Sequence, residues 1–294
     1  MKKKNSTSRA SQYERQSQAK EIFHRLKKNK GAIVGLVIIA ILILIIIASF
    51  FMPYSWVTTM DMKNRLAKPS WQHLFGCDDM GRDIFLRTLY GTRYSFSIGF
   101  GATFFSAIIG VIIGSIAGYY SGIVDDILMR LTDILASIPA ILLGMVVVYI
   151  LGGSVLNVIF AVGVCSISHY IRIARASILA IRGQEYVEAA KAIGMSDLKI
   201  IFTQVLPNAI SPIIVTFSAT IGIAIIVSAS LSFIGLGVAP PSPEWGALVS
   251  SGRNVLRTAP NVALLPGVFI MLTVLSFNIL GDGLRDALDP KLKR

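Results

Sequence analysis

Long apolar segments separated by short polar ones run through most of the chain. The first, residues 32–52, reads AIVGLVIIAILILIIIASFFM and carries no charge. Because an α-helix rises about 1.5 Å per residue, roughly 20 such residues cross the ~30 Å hydrocarbon core of a bilayer. Five more apolar runs follow, at residues 98–119, 134–151, 154–171, 209–234 and 262–281. The pattern predicts an all-α integral membrane protein with six transmembrane helices.

The overall composition agrees with this prediction. Apolar residues make up 54% of the 294 residues and charged residues 15%, a balance too apolar for a soluble domain of this size. The net charge of +12 raises nucleic-acid binding as an alternative. The basic residues flank the predicted helices, however, and form no patch interleaved with aromatic residues. We therefore expect no nucleic-acid partner and interpret the charge as a sign of membrane topology.

The distribution of Lys and Arg predicts which side of the membrane each segment occupies. With the N-terminus inside, 20 of the 28 basic residues fall on the cytoplasmic side, as the positive-inside rule requires. Both termini are then predicted to be cytoplasmic. The predicted organisation is a basic N-terminal segment (1–31), the first helix (32–52), an extracytoplasmic loop (53–96), a core of five helices (97–282) and a cytoplasmic tail (283–294).

One predicted inner loop is an island of mixed charge. The stretch EYVEAAKAIGMSDLKIIFTQVLPN, residues 185–208, lies between the fourth and fifth predicted helices. Good helix formers occupy 185–193, Gly194 is suited to a turn, and Ser196 or Asp197 can cap a second helix that runs to the end of the stretch. We therefore predict a helix, a glycine turn and a second helix that together protrude from the membrane.

The apolar positions of this loop are expected to pack into a groove on a soluble partner, as amphipathic helices do. Glu188 and Lys191 would then lie at the rim of that groove. The positions expected to enter the groove are Val187, Ala190, Ile193, Leu198, Ile201 and Phe202.

The same loop resembles the EAA loop of permease subunits in binding-protein-dependent ABC importers. The order is Glu188-Ala189-Ala190, three further residues, Gly194, nine more residues and then QVLP at 204–207. In that family the loop forms a coupling helix that docks on the ATPase subunit. The general pattern prefers isoleucine where this chain has the glutamine of QVLP, a position at which the peptide-transporter branch carries polar residues.

Two further stretches resemble that branch more specifically. The sequence HLFGCDDMGRD at 73–83, followed by RTLYGTR at 87–93, looks like the signature of dipeptide, oligopeptide and nickel permeases. Cys77 stands where the signature usually has threonine. The stretch SFIGLGVAPPSPEWGALVSSGR, residues 232–253, is similar to the loop that precedes the last helix in the same branch. The resemblance extends over residues from about 20 to 290.

This resemblance implies a permease subunit of an ATP-driven importer that carries di- or oligopeptides across the cytoplasmic membrane of a prokaryote. Nickel or a metal chelate is the alternative cargo. The implied partners are a second, similar permease in a heterodimer, two ATPase subunits and an extracytoplasmic substrate-binding protein. ATP and Mg would be used by the ATPases, so we expect no cofactor in this chain. The implied ATPase-coupling residues are Glu188, Ala189, Ala190, Gly194, Leu206 and Pro207.

Several other classes of membrane protein fit the sequence poorly. No G-x-x-x-x-G-K-[ST] loop occurs, so the chain has no usual cradle for ATP. The centres of the predicted helices contain no Asp, Glu, Lys or Arg that would relay protons or bind a coupling ion, which argues against a secondary transporter. No nucleophile or metal constellation with convincing spacing suggests a membrane-embedded enzyme. A structural adaptor would not need the ordered coupling motif.

Polar residues in the fourth and fifth predicted helices are the candidates for lining a translocation path. Ser, Thr and Asn interrupt the apolar faces there without adding charge, which suits cargo with varied side chains. For His169 the alternative is a hydrogen-bonded histidine inside the bundle. The candidates are Asn157, Ser166, Ser168, His169 and Ser218.

Two other patterns admit a chemical interpretation that we do not favour. His73, Cys77, Asp78 and Asp79 are close in sequence, but they lack a recognised ligand spacing and lie in a predicted turn, so we expect no metal site. A disulfide between Cys77 and Cys165 is not expected, because the two lie at different depths. The glycines at 110, 114 and 118 recur every four residues and predict close helix packing, against this chain or a second permease.

Overall fold

The computed structural model describes residues 23–288. All the secondary-structure elements named in that range are helices. Most of the predicted N-terminal segment and the end of the predicted tail lie outside the described residues. Short 3-10 helices occupy Met62–Asn64 and Arg253–Val255. In chain order the helices are α1 (Lys30–Phe50), α2 (Ser55–Thr58), α3 (Ile84–Tyr120), α4 (Gly122–Ser137), α5 (Ala140–Leu151), α6 (Val155–Leu179), α7 (Glu185–Ala192), α8 (Asp197–Ile200), α9 (Leu206–Phe233), α10 (Trp245–Gly252) and α11 (Asn261–Leu288).

Five helices of the described range are long and apolar enough to cross a bilayer: α1, α3, α6, α11 and the continuous helix formed by α8 and α9. The number rises to six when α4 and α5 are taken together as one broken span. The prediction of an all-α membrane protein with six spans is confirmed on that basis.

The third predicted span, residues 134–151, is not one straight helix. Helices α4 and α5 meet at 85°. Helix α5 alone has 12 residues, or about 18 Å, which is too short to cross the bilayer core. The break lies at Ile138, whose backbone is extended (φ −86°, ψ 124°) because Pro139 follows it and disfavours a helical conformation there. The prediction of a single helix over this run was wrong because the proline outweighs the apolar pattern.

Helix α3 begins at Ile84, inside the segment predicted as an extracytoplasmic loop (53–96), and continues for 37 residues. Its start is fixed by Asp83, whose Oδ1 accepts a hydrogen bond from the backbone N–H of Leu86 at 2.9 Å. At 1.5 Å per residue the helix is about 55 Å long and exceeds the bilayer core. The apolar run therefore marks only the part of the helix suited to lipid, and the polar cap marks where the helix begins.

Three glycines bring α3 against α6. A Cβ atom on Gly110 would lie 2.3 Å from the Cβ of Tyr170, and one on Gly114 would lie 2.4 Å from the carbonyl oxygen of Ile171. Gly118 is equally close to α6, because its Cβ would lie 2.8 Å from a backbone oxygen there. These distances exclude any side chain, so the helices touch backbone to backbone. The predicted packing role is confirmed, and the partner is a helix of the same chain.

The remaining long helices pack around α11, which lies against α9, α1 and α10. Trp245 of α10 is fully buried, and its Nε1 donates to the carbonyl oxygen of Thr88 at 3.0 Å. By contrast, α1 leaves large apolar side chains such as Leu44 and Phe50 exposed. Exposed apolar groups on a spanning helix face lipid at no cost, so α1 is suited to the periphery of the bundle.

The segment between α1 and α3 is held together by buried charges. Oδ2 of Asp78 accepts from Nε of Arg82 at 2.8 Å and lies 3.6 Å from Nε of Arg87, and all three residues are buried. Gly81 turns the chain with a φ of +75°, and a Cβ there would lie 1.7 Å from the carbonyl oxygen of Asp61. Only glycine fits at this position. The glycine and arginine of the predicted turn thus have structural roles.

The residues that raised a metal alternative are engaged within the protein instead. Nδ1 of His73 lies 2.8 Å from Oδ2 of Asp83. Burial raises the pKa of the Cys77 thiol to about 11, with a smaller contribution from the Asp83 and Asp78 carboxylates, so the metal-binding thiolate form is disfavoured. Within residues 23–288 no three His, Cys, Asp or Glu side chains are grouped to hold a metal ion. Cys77 and Cys165 are both free thiols.

Candidate functional site

Helix α7 and the turn after it form the first half of the candidate coupling loop. Glu, Ala and Lys favour the helix locally, and Gly194 ends it with a φ of +81°. The N–H of Gly194 bonds to the carbonyl of Lys191 at 2.9 Å, and that of Met195 bonds to the carbonyl of Ala190 at 3.2 Å. This pair of hydrogen bonds is a Schellman motif, which needs a residue with positive φ directly after the C-cap of the helix. Gly194 lies where the sequence predicts the turn.

The second half of the loop differs from the prediction. Helix α8 has four residues and continues through a π-helical turn, Ile201–Val205, into α9. Ser196 occupies the N-cap position, but its side chain makes no capping bond. Pro207 follows in the first turn of α9, where it lacks the N–H that an α-helical ladder would use. The predicted second helix is therefore the first part of the long helix that contains α9.

The faces of the loop also differ from the prediction. Val187, Ala190 and Ile201 are buried in this chain, in a cluster with Tyr119 and Ile178. Since they contact the protein's own core, they do not lie in a partner's groove, and that part of the prediction was wrong. Eight helical residues with apolar groups on several sides do not show by periodicity alone which side turns inward.

A different set of apolar side chains remains exposed on the loop. Ile193 is 78% exposed, and the other members are exposed by between 40% and 57%. Among the predicted coupling residues, Glu188, Ala189, Gly194 and Pro207 are exposed, whereas Leu206 is half-buried. We name the exposed apolar set the loop surface; it consists of Tyr186, Ile193, Leu198 and Phe202.

The loop rests on the end of α3 through Tyr119, a residue that sequence reasoning did not identify. Its hydroxyl donates to Oδ1 of Asp197 at 2.8 Å, and Nζ of Lys191 lies 4.9 Å from its ring centroid. Arg182 donates to the Tyr119 carbonyl oxygen at 3.2 Å and to the hydroxyl of Ser121 at 2.5 Å. The only sequence signal was the position of this tyrosine at the cytoplasmic end of a predicted span.

Two ion pairs attach α4 to α6, and these residues were also missed. Arg175 makes a two-pronged contact with Asp125, with distances of 2.5 and 2.6 Å. Nη2 of Arg172 lies 2.7 Å from Oδ1 of Asp133. The first pair is largely shielded and the second is exposed, so the first contributes more to holding α4 in place.

The five candidate path residues are not brought together on one surface. Asn157 donates to the carbonyl oxygens of Leu151 and Gly152, which caps the end of α5. Ser218 is buried and packs against Gly281 of α11. Both therefore have structural roles within the chain.

The other three candidates lie on α6. Ser166 and Ser168 are half-buried and His169 is exposed. The hydroxyl of Ser166 donates weakly to the Val162 carbonyl oxygen at 3.4 Å. The ring of His169 lies edge-on to Tyr170, with centroids 6.1 Å apart. His169 is therefore not buried inside this bundle. Ser166 and His169, three residues apart, share a face of α6, whereas Ser168 lies on a different one.

Residues 110–294 match the family described as the inner membrane component of binding-protein-dependent transport systems. The chain belongs to this family. Residues 17–69 of the permease also match the N-terminal transmembrane domain of oligopeptide transport permease C. The resemblance seen in the motifs is confirmed. Membership makes the chain a membrane transport subunit and not an enzyme, in a family that works with ATPase and binding-protein subunits.

Close relatives cover almost the whole permease. The dipeptide transport system permease protein DppC of Alkalihalophilus pseudofirmus is 45% identical over 282 residues, which is 96% of this chain and 93% of that protein. The glutathione transport system permease protein GsiD of Salmonella typhimurium is 46% identical over 275 residues, with 93% and 91% covered. The chain therefore spans nearly the full length of these relatives.

Solved structures share the fold at lower identity. The MetNI methionine ABC transporter in an inward-facing conformation aligns with a TM-score of 0.58 at 19% identity, covering 70% of this permease and 98% of that chain. An amino acid ABC transporter aligns with a TM-score of 0.54 at 16% identity, covering 69% and 94%. These likenesses support the helical architecture of an ABC transporter membrane subunit.

Proposed function

We propose that this permease moves di- and oligopeptides inward across the cytoplasmic membrane of a prokaryote in an ATP-driven importer. The observation that carries the proposal is the 45% identity to a dipeptide permease over nearly the whole of both chains. The oligopeptide permease domain at 17–69 and the relative named for glutathione, itself a tripeptide, favour peptides over nickel. Nickel, the alternative cargo, is one arm of the test below.

The coupling step uses α7 and its turn. Glu188, Ala189 and Gly194 are exposed, and small residues there permit a close approach of the ATPase. Ala190 faces inward and holds α7 on the bundle. Leu206 and Pro207 lie in the first turn of α9, which is continuous with α8. A movement imposed on the loop when two ATPases close on ATP is therefore transmitted directly to a spanning helix.

The loop surface supports this docking. Ile193, Leu198 and Phe202 are apolar, exposed and placed beyond the end of a membrane helix in the predicted topology. Lipid does not cover such a surface in the cytoplasm, whereas a groove on a soluble partner does. The charged residues Glu188 and Lys191 beside it suit the polar rim of an interface.

The rest of the assembly follows the same proposal. A second, similar permease pairs with this one in a heterodimer, because six helices alone enclose too little space for alternating access. Two ATPases hold the ATP and Mg, this chain holds no cofactor, and an extracytoplasmic binding protein delivers the cargo. Ser166 and His169, which share a face of α6, line the path that the second permease closes. Both termini are cytoplasmic, on the side of Arg175 and Arg182.

The test measures uptake in cells that lack this chain and receive it back as wild type, Gly194→Asp or Gly183→Asp. Gly183 is the matched control, because it is exposed and a Cβ there meets no atom within 4 Å, as at Gly194, but without a positive φ. Each strain is exposed to a toxic dipeptide or oligopeptide analogue and to labelled nickel. We expect wild type and Gly183→Asp to restore peptide uptake and Gly194→Asp to abolish it, since a charge then enters the docking surface.

Two outcomes would contradict parts of the proposal. Full peptide uptake with Gly194→Asp, and unchanged co-purification of the ATPase, would remove the coupling role of the loop. Restoration of nickel uptake alone would keep the importer and replace its cargo.

A further inference from the structure

A cavity of about 620 Å³ lies at the end of the bundle opposite the coupling loop in the predicted topology. Its walls come from the turn after α5 (152–153), the turn after α9 (235–240) and the end of α10 with the residues that follow. Tyr149 and Arg253, two of its lining residues, are exposed, so the cavity reaches the surface. None of the coupling residues or path candidates lines it.

Backbone groups form much of the wall, and they are tightly packed. The carbonyl oxygen of Gly153 accepts from the N–H of Ala239 at 2.9 Å. A Cβ on Gly153 would lie 2.5 Å from the carbonyl oxygen of Gly237, and one on Gly237 would lie 1.8 Å from Oγ of Ser232. The two turns thus touch each other through glycines. That bond occupies the Gly153 carbonyl and the Ala239 N–H, whereas within residues 23–288 the main-chain groups of Gly237 and Val238 form no backbone hydrogen bond. Unpaired main-chain groups are the ones that an extended peptide pairs with.

A buried carboxylate fixes the third wall. Glu244 is 1% exposed and accepts from the hydroxyl of Ser95 at 3.2 Å, the hydroxyl of Ser232 at 2.8 Å and the N–H of Ala247 at 2.9 Å. These bonds attach the start of α10 to α3 and α9. The part of the cavity that follows α10 is therefore held in position before any ligand arrives.

Arg253 gives the cavity a fixed positive charge. Its guanidinium lies over the ring of Phe233, 5.2 Å from the centroid. Among residues 23–288 no carboxylate or hydrogen-bond acceptor contacts it, whereas Arg82, Arg172 and Arg175 each pair with an aspartate. A guanidinium binds a carboxylate through two parallel hydrogen bonds. The cavity thus combines a wall of main-chain groups with a guanidinium that can bind a carboxylate.

We propose that this cavity is an extracytoplasmic subsite that receives the carboxylate end of a short peptide cargo, with Arg253 binding the carboxylate. The inference rests on the proposed function, since it names where that cargo first contacts the permease. Pockets of about 300–1,000 Å³ hold small ligands, and the volume here suits a dipeptide or tripeptide. The turns after α5 and α9 bind its backbone.

The test uses the importer purified with its partner subunits through a tag on this chain and placed in lipid nanodiscs. Tyr149, 81% exposed at the cavity, is changed to p-benzoyl-phenylalanine, a photo-crosslinking residue. The matched control carries the same residue in place of Ile123, which is 78% exposed and does not line the cavity. A radiolabelled tripeptide is added as its free acid or as its C-terminal amide, without binding protein, and illuminated.

We expect the free acid to label the probe at 149 and not the probe at 123. The amide should label about tenfold less, because it lacks the charge that strengthens hydrogen bonds to a guanidinium. Arg253→Gln should lower labelling by the acid about tenfold, and Arg253→Lys should lower it less. Arg257→Gln, an exposed arginine nearby that does not line the cavity, should have no effect.

Equal labelling by acid and amide, labelling unaffected by Arg253→Gln, or no labelling at 149 would overturn the inference. A second arm includes the binding protein. A permease adduct with that protein and none with the peptide would also overturn it, because the cavity would then be a docking site for the protein.

ATP-dependent peptide uptake is measured with the same purified wild-type importer reconstituted in sealed proteoliposomes, with its binding protein added. Uptake without labelling at 149 refutes the subsite alone. Absence of peptide uptake with all partners present refutes the proposed function itself.

Discussion

The two segments that emerge from opposite ends of the bundle are stabilised by opposite chemistry. The segment at 53–83 is built around buried charges, with Asp78 paired to Arg82 and near Arg87. The candidate coupling loop at 185–205 is built around buried apolar side chains such as Val187 and Ile201. The first is held by paired buried charges and the second by buried apolar side chains, while both leave apolar groups exposed, among them Trp71 at 98% and Ile193 at 78%.

This difference shows how each segment is held in the permease. Asp78 and Arg82 pair within the outer segment, and Arg87 adds a contact from α3. Val187 and Ile201 join the apolar cluster at the end of the bundle. Both segments leave apolar groups exposed, so the exposed surface, and not the type of core, indicates where a partner can bind.

The largest effect is expected when the charge of Asp78, which pairs with the two buried arginines, is removed from the segment at 53–83. Asp78→Asn leaves Arg82 and Arg87 buried without a full counter-charge, which should cost about 3–5 kcal/mol. The buried Cys77 thiol reports the loss, because the loosened segment exposes it. We expect its maleimide labelling, followed by mass spectrometry, to become much faster. Asp79→Asn, the same change at a half-buried neighbour, should label at the wild-type rate; equal rates in both variants would show that the pairs are not the stabilising element.

A smaller effect is expected at the loop surface. It should change binding of the ATPase and not the stability of the permease. Phe202→Ala removes part of the loop surface and should weaken ATPase binding by about tenfold. The thermal midpoint of the isolated permease should stay the same, because Phe202 is 44% exposed. Phe51→Ala, at an 83% exposed position near the other membrane face, is the control. If Phe202→Ala unfolds the permease, the Phe202 ring stabilises the core and is not part of a docking surface.

The smallest effect concerns the junction between loop and bundle. Tyr119→Phe removes the 2.8 Å hydrogen bond to Asp197 and should cost about 1 kcal/mol locally. We expect faster amide hydrogen exchange over residues 187–200 and a modest fall in peptide uptake. Tyr120→Phe, whose hydroxyl makes no hydrogen bond among the described residues, should change neither. Identical exchange in the two variants would show that the bond does not hold the loop.

Much of the fold could be predicted from local sequence. The apolar runs predict the spans, the glycines at 110, 114 and 118 predict a close helix contact, and Gly194 marks a turn with positive φ. These features depend on a few neighbouring residues and on elementary sterics. The bend at Pro139 could also be predicted from local sequence, but the apolar run on both sides led to the prediction of a single helix.

The candidate site was less accessible to the same reasoning. The motif marked the candidate coupling loop, but the prediction assigned Val187, Ala190 and Ile201 to the partner side, because a short helix can turn either apolar face inward. The hydrogen bond from Tyr119 to Asp197, which holds the loop on the bundle, joins residues far apart in sequence. Asn157 and Ser218 have polar groups typical of a path, and only packing shows that one caps a helix and the other faces α11.

The sequence by itself determined that this protein is a multi-span helical permease and where the Gly194 turn of its candidate coupling loop lies. Hydrophobic length, glycine spacing and motif order are properties of short stretches, so they need no tertiary contact to be recognised. Only the tertiary structure decided which side of the loop remains free and that Arg253 lines a glycine-walled cavity with no carboxylate from residues 23–288 against it. Burial and pairing depend on distant residues, because a side chain is covered or left free by whatever the fold brings against it.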